Sequence, residues 1–339
     1  MSAARPTEGA APLVEGAGAS HEVARPGGAP IPAQASLLRA SRMKPWEPVL
    51  WLLAFAAPMV FPSYAAMVNE IAILALFAVS LDLVLGFGGI VSLGHAAFFG
   101  LGAYTAALFC KHVMPDPHVG LLVAMGTAGL LGLVASLTVL RGTDLTRLMV
   151  TLGVALLLAE LANKLDWLTG GTDGIQGLMF APVLGKFQFD LAGHTASYYS
   201  LGVLLILFLL ARRIVHSPFG ATLKAIRDNR LRAMAIGVPV HARLIAVYTI
   251  AAAMAGAAGA LFTQTSGFAS IDVLEFHRSA DVMLMLVIGA TVFRLMQDFI
   301  SQITPQYWTF WIGLFLIVLV LVGRDRLLKP WTWWKRRRT

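Results

Sequence analysis

Residues 86–108 read G-F-G-G-I-V-S-L-G-H-A-A-F-F-G-L-G-A-Y-T-A-A-L and lie inside a longer run, 83–110, without a single Asp, Glu, Lys or Arg. Twenty-eight uncharged residues are enough to cross a bilayer, because a spanning helix needs roughly 20. A helix that only sits in lipid is more uniformly Leu, Val and Ile, whereas 86–108 holds six glycines, a serine and a histidine. Small residues at that depth predict close helix packing or a broken helix, and polar atoms predict contact with something other than lipid.

The remainder of the chain is of the same class. Uncharged stretches recur at 48–69, 117–140, 191–211, 244–271 and 299–323. Charged residues make up 13% of the chain against ~25% in soluble domains, and the mean hydropathy is +0.74, which excludes a soluble globular protein. The single cysteine, Cys110, excludes an internal disulfide and a cysteine-cluster metal site. No G-x-x-x-x-G-K-S/T loop occurs, so this chain has no P-loop for ATP. No metal or other cofactor is expected on it.

Residues 1–45 are rich in Ala, Gly and Pro without apolar periodicity, and are expected to form a disordered cytoplasmic tail. Residues 46–323 are expected to form the membrane domain and 324–339 a basic cytoplasmic tail. Trp331, Trp333 and Trp334 precede four bases at 335–338, the pattern of an anchor at the lipid interface and not of a nucleic-acid surface.

Lys and Arg concentrate in cytoplasmic loops. Residues 212–243 hold seven bases against Asp228, and 324–339 hold seven against Asp325, so both are assigned to the cytoplasm. Residues 163–196 carry two bases and three acids, and 263–281 carry Arg278 against Asp272, Glu275 and Asp281, so both are assigned outside. Spans are expected near 48–62, 67–85, 90–110, 118–139, 146–162, 197–214, 244–264, 280–293 and 307–323. Nine crossings would leave the tail outside. The charge pattern therefore asks for a further break, placed at Gly289-Ala290 with legs at 282–288 and 291–303. The expected fold is an all-α polytopic membrane protein of about ten segments, some short or broken, with eight as the alternative and both termini cytoplasmic.

Residues 217–240, S-P-F-G-A-T-L-K-A-I-R-D-N-R-L-R-A-M-A-I-G-V-P-V, read as two short helices outside the membrane. Ser217 suits an N-cap and Pro218 the first turn, Asp228 or Asn229 caps the second helix, and Gly237 with Pro239 ends it. Leu223 with Ile226, and Leu231 with Met234, give each helix an apolar knob ringed by bases such as Arg227. A basic loop resting on anionic lipid needs only charge. Caps and knobs favour a peg that docks in a groove of a soluble partner.

The 86–104 run, the L-T-G-G-T-D-G-I-Q-G run at 168–177, the S-P-F-G-…-A-I-R-D-N loop and A-G-A-A-G-A-L-F at 255–262 occur in that order. Together they resemble the LivM-type permeases of branched-chain amino acid ABC importers, whose relatives import urea or short amides. The resemblance covers roughly 48–323. It implies a homologous second permease, two ATP-binding cassette ATPase subunits that hold ATP and Mg, a periplasmic solute-binding protein and the inner membrane. It also implies that 217–237 is the coupling loop in an ATPase cleft. One departure stands out. The family's G-G-x-G-S/T-x-x-G-P-x-x-G-A pattern is replaced here by G-A-T-V-F-R at 289–294.

Gly88, Gly89, Ser92, Gly94 and His95 are the candidate pathway residues. His95 is read either as a packed neutral histidine bonded to a backbone carbonyl or as a group bordering the route, with Ser92 on the same helical face; nothing at ligand spacing supports a metal. Glu70 and Asp82 are acids near opposite ends of one span. Gly170, Gly171, Asp173 and Gly174 mark either a tight outer turn or a surface for the binding protein or solute. The favoured function is a non-catalytic transmembrane subunit that imports a small neutral or zwitterionic solute by alternating access. Branched-chain amino acids come first, with urea, short amides or small aromatic acids as alternatives. An ion-coupled secondary transporter would need a midplane ion constellation, and a membrane enzyme an acid–base pair, and neither is evident.

Overall fold

The computed structural model describes residues 46–190 and 193–288. The expected break at Gly289-Ala290, the span near 307–323 and both tails lie outside them. Among the described residues the secondary structure is helical, with only the isolated bridges Ile175–Ala269 and Val183–Phe187. Five helical segments of the described residues are long and apolar enough to cross a membrane: Pro62–Phe87, Pro117–Val139, Asp144–Lys164, His194–Val215 and Val240–Ser266.

Helix α1 (Trp46–Val60) and α2 (Ala65–Asp82) are joined by the turn Pro62–Tyr64, and α2 widens into a π-turn at Leu83–Phe87. Helix α3 (Ala96–His112) follows a non-helical leg, so the expected helix from residue 90 starts later. At 1.5 Å per residue, α3 is only ~26 Å long, shorter than the ~30 Å core of a bilayer. Helix α4 (Pro117–Val139) is started by Asp116, whose carboxylate accepts from the His118 and Val119 amides, with Pro117 in the first turn. Helices α5 (Asp144–Lys164) and α6 (His194–Val215) flank the long loop. Helices α7 (Pro218–Asp228) and α8 (Arg230–Ala235) form the hairpin, and α9 (Val240–Ser266) and α10 (Phe276–Ile288) follow.

Helix α9 is central because its small residues admit neighbouring backbones. A Cβ on Gly259 would lie 1.8 Å from the Phe99 carbonyl of α3, one on Gly256 2.3 Å from Ala128 of α4, and one on Gly102 2.2 Å from the Gly256 carbonyl. With no hydrophobic drive between helices in lipid, such contacts are what hold the bundle. The outside is apolar instead: Leu122, Leu130, Leu145, Met149, Leu157 and Ile206 are all exposed, as a lipid-facing surface requires.

The bundle has two distinguishable ends. At one, the hairpin α7–α8 meets the π-turn of α2, and Arg212 pairs with Glu47. At the other, Ile175 pairs with Ala269, and the Ala181 amide donates to Pro115 O at 2.8 Å. There Asp190 starts α6: its Oδ1 accepts from the Thr195 amide at 3.0 Å and its Oδ2 from the His194 amide at 3.3 Å. Partial burial pulls this carboxyl up, but the Thr195 and His194 amides and the nearby His194 imidazole outweigh that and hold it below the ordinary range. A carboxyl depressed in the folded chain contributes stability above the ordinary range and loses it as pH falls through the folded value. Between about pH 6 and about pH 3, the thermal midpoint of the purified subunit should therefore fall further for wild type than for Asp190→Asn, whose amide oxygen keeps one cap at every pH. Parallel falls would exclude the effect.

Candidate functional site

The 86–108 patch is a broken helix. Gly88 N–H bonds Leu83 O and Ile90 N–H bonds Val84 O, which closes the wide turn. Gly89 then takes φ +67, a left-handed conformation that L side chains rarely adopt, and turns the chain back into the bundle. Non-helical backbone at membrane depth needs partners from the protein itself. Leu93 N–H donates to Thr151 Oγ1 of α5 at 3.2 Å, and Ala96 N–H to Ser279 Oγ of α10 at 2.9 Å. Gly94 lies on α5 so closely that a Cβ there would be 1.8 Å from the Thr151 carbonyl.

His95 closes the leg and is fully buried. Its Nε2 lies 3.0 Å from Ser80 Oγ, a side chain of α2 and not the expected backbone carbonyl. The Ser80 hydroxyl donates to Phe77 O at 2.6 Å, so its lone pair faces the ring and Nε2 carries the proton. Nδ1 is then a bare lone pair, buried and without a donor among the described residues. Phe77 stacks on the imidazole at 5.7 Å and Phe98 meets it edge-on at 5.5 Å, holding the ring still. Ser92 is also buried, and its hydroxyl faces Tyr248 without closing a well-formed hydrogen bond. The shared helical face expected for Ser92 and His95 does not exist, because residues 88–95 are not helical.

The hairpin reaches this break directly. Arg227 Nη1 donates to Gly86 O at 2.6 Å, and a Cβ on Gly89 would meet Arg227 Cγ at 2.9 Å. The Lys224 ammonium sits 5.4 Å from the Phe87 ring centre, and the Asp82 carboxylate lies against Gly86. Asn229 caps α8 by accepting from the Arg232 amide, and Gly237 (φ +82) follows it. Ser217 occupies the N-cap of α7, but its hydroxyl donates backwards to Ile214 O and caps nothing. The knobs divide. Leu223 and Ile226 are buried against the chain's own bundle, a correction to the expected outward knob, whereas Leu231 and Ile236 are each 76% exposed and Met234 is half-exposed.

The glycine loop is a built turn. Gly170, Gly171 and Gly174 all have positive φ, and a Cβ on Gly170 or Gly174 would lie 2.2 Å from the carbonyl of Gly174 or Ala269 respectively. Asp173 is exposed, and its carbonyl accepts from the Gln176 side chain. Ser80, Thr151 and Ser279 are not picked out by motif. Ser80 and Thr151 signal only as hydroxyl residues within an apolar run, and Ser279, among His277, Arg278 and Asp281, carries no such signal.

A family described as branched-chain amino acid transport system, permease component, matches residues 63–324. The chain is 26% identical to the high-affinity branched-chain amino acid transport system permease protein LivM of Escherichia coli (strain K12), over 76% of this chain and 68% of that protein. It is 27% identical to the protein of the same name from Salmonella typhimurium, over 76% and 68%. No solved structure matches.

Proposed function

Because this chain belongs to the family of branched-chain amino acid transport system permease components, we propose that it moves branched-chain amino acids inward as half of an ATP-driven importer. It is a permease subunit and a multi-pass membrane protein. The proposal adds a homologous second permease, two ATPase subunits that bind ATP and Mg, an external solute-binding protein and residence in the bacterial inner membrane. It also takes the even crossing number, ten segments with both termini inside, and 324–339 as a cytoplasmic tail. The end bearing α7 and α8 then faces the cytoplasm, and the 163–196 loop faces outward.

One observation supports the mechanism: α7, the proposed coupling helix, holds the break at 86–95 through Arg227. Arg227 grips the Gly86 carbonyl, and the non-helical leg 88–95 follows it. A displacement of α7 by a bound ATPase therefore pulls on backbone that is not locked in a helical ladder. The leg's own contacts, Thr151 Oγ1 and Ser279 Oγ, are single hydrogen bonds of about 1 kcal/mol each, small enough to exchange during each cycle. The bare His95 Nδ1 then offers an acceptor to a solute donor in the pathway. We assign residues 88–95 to the pathway on that ground.

Reconstituted vesicles containing this chain and its candidate partner subunits should take up L-leucine only with internal ATP and external binding protein. Uptake driven by an imposed proton or sodium gradient without ATP would overturn the reading in favour of a secondary transporter. ATP-driven uptake of urea or acetamide in place of leucine would reassign the solute.

A further inference from the structure

Helices α1, α2 and α6 leave a groove of about 570 Å³ between them, within the ~300–1,000 Å³ of clefts that hold small ligands. Ala54 and Ala57 on α1 and Ala72 and Ala75 on α2 line it, so both walls are short of side-chain volume. Around α9 small residues let backbones touch; here they leave a gap. Charge is confined to one end. Among the described residues lining the groove, only Glu47 and Arg212 are charged, and they pair at the hairpin end. Glu47 and Ala57 are ten residues apart on α1, and Leu201 and Arg212 eleven apart on α6, so the apolar wall runs ~15–17 Å from the ion pair. One leaflet of the ~30 Å hydrocarbon core has that depth. The same helices expose Leu52, Leu53 and Ile206, a surface that lipid covers. Water gains nothing in an apolar groove, and an empty one forfeits the contacts its lining could make. The mouth is basic. The first turn of α1 and the last turns of α6 meet there, so their opposed helix dipoles offset, and Glu47 cancels Arg212. Arg213 is exposed at the same end, where residues 212–243 carry seven bases against Asp228.

We propose that this groove holds one acyl chain of an anionic phospholipid from the leaflet at the hairpin end, with the headgroup at the basic mouth beside Arg213. The chain supplies the packing that the four alanines withhold. It also completes the seat of α1, which meets α6 through the Trp51 and Phe208 rings, 5.5 Å apart, and through the Glu47–Arg212 pair. A phosphatidylcholine brings a cation to a mouth that is already basic, whereas a phosphatidylglycerol brings only the anion. This lipid site is independent of the solute and of the pathway assigned to residues 88–95.

The test uses the full chain in vesicles, alone and with its candidate partner subunits, doped with a phosphatidylglycerol whose acyl chain carries a diazirine. After irradiation, the mapped adducts should concentrate on the groove-lining segments of α1, α2 and α6, and not at Leu130 or Leu157, which are exposed on other helices. Unlabelled phosphatidylglycerol should compete about fivefold better than phosphatidylcholine, and Arg213→Gln should narrow that gap. Ala54→Phe fills the groove with the chain's own side chain and should remove most of these adducts; Ala75→Leu serves if that variant does not fold. Adducts spread evenly over the exposed apolar surface would mean a general lipid coat and overturn the site. Equal competition by phosphatidylcholine, or adducts that survive Ala54→Phe, would also overturn it. Adducts that vanish when the second permease is added would make the groove a subunit interface instead.

Discussion

Leu231→Asp combined with Met234→Asp is expected to reduce ATP-driven uptake to background while the subunit inserts and folds as before. Both side chains are exposed on α8, so a polar replacement costs the isolated subunit little, within about 0.5 kcal/mol each. If they fill a groove on an ATPase, each acts as an anchor of about 2 kcal/mol, and a charge in that groove is worse than simple truncation. Losing both weakens docking by about 4 kcal/mol, roughly a thousandfold. Leu223→Asp should do something different. Leu223 is 0% exposed and packs on the chain's own core, so a carboxylate there costs several kcal/mol and removes the folded subunit. The measurements are uptake, pull-down of the ATPase subunits and the yield of monodisperse permease. A double variant that still binds ATPase and transports would remove α8 from the coupling role. A stable Leu223→Asp would show that α7 is not seated as described.

That contrast also shows what the sequence carries and what it does not. An i, i+3 pair of Leu and Ile on a short helix has the same periodicity whether it enters a partner's groove or the chain's own bundle. The pattern thus marks the buried face of α7 without naming the burying surface. Ser217 is similar: a serine before Pro218 is well placed to cap, but its hydroxyl donates instead to Ile214 O, a local choice that spacing does not reveal. Helices α4 and α9 were legible within a few residues, because absence of charge over about 20 residues has a single cause in a membrane, and α5 and α6 because their few charges lie near the ends of an apolar run. The break at 86–95 was legible as glycine excess. Its shape was not, because the left-handed turn at Gly89 breaks the phasing on which the Ser92–His95 alignment depended.

His95→Ala is expected to abolish uptake, and the pattern of rescue identifies which ring nitrogen matters. The imidazole does two separable things. Its Nε2–H donates to Ser80, which joins α3 to α2, and its Nδ1 presents a buried lone pair to which none of the described residues donates. Alanine removes both together with the ring contacts to Phe77 and Phe98, so its loss of transport alone would not discriminate. Glutamine and asparagine do. The amide nitrogen of Gln reaches the place of Nε2 and restores the bond to Ser80, while the amide oxygen of Asn falls near Nδ1 and restores only an acceptor there. If Nδ1 receives the solute, His95→Asn should recover measurable uptake with KM within about tenfold of wild type, although it folds less stably. His95→Gln should fold and assemble well yet transport poorly. The reverse order, with Gln restoring both assembly and uptake and Asn neither, would make His95 a packing residue. An unpaired lone pair in a fully buried ring is a standing cost of about 1–3 kcal/mol in the resting bundle. In a static helix interface such a group is readily replaced by an apolar side chain of similar shape. If residues 88–95 line the route as proposed, the bare nitrogen, beside a break held by Arg227, would be where a passing ammonium finds the acceptor it loses on leaving water.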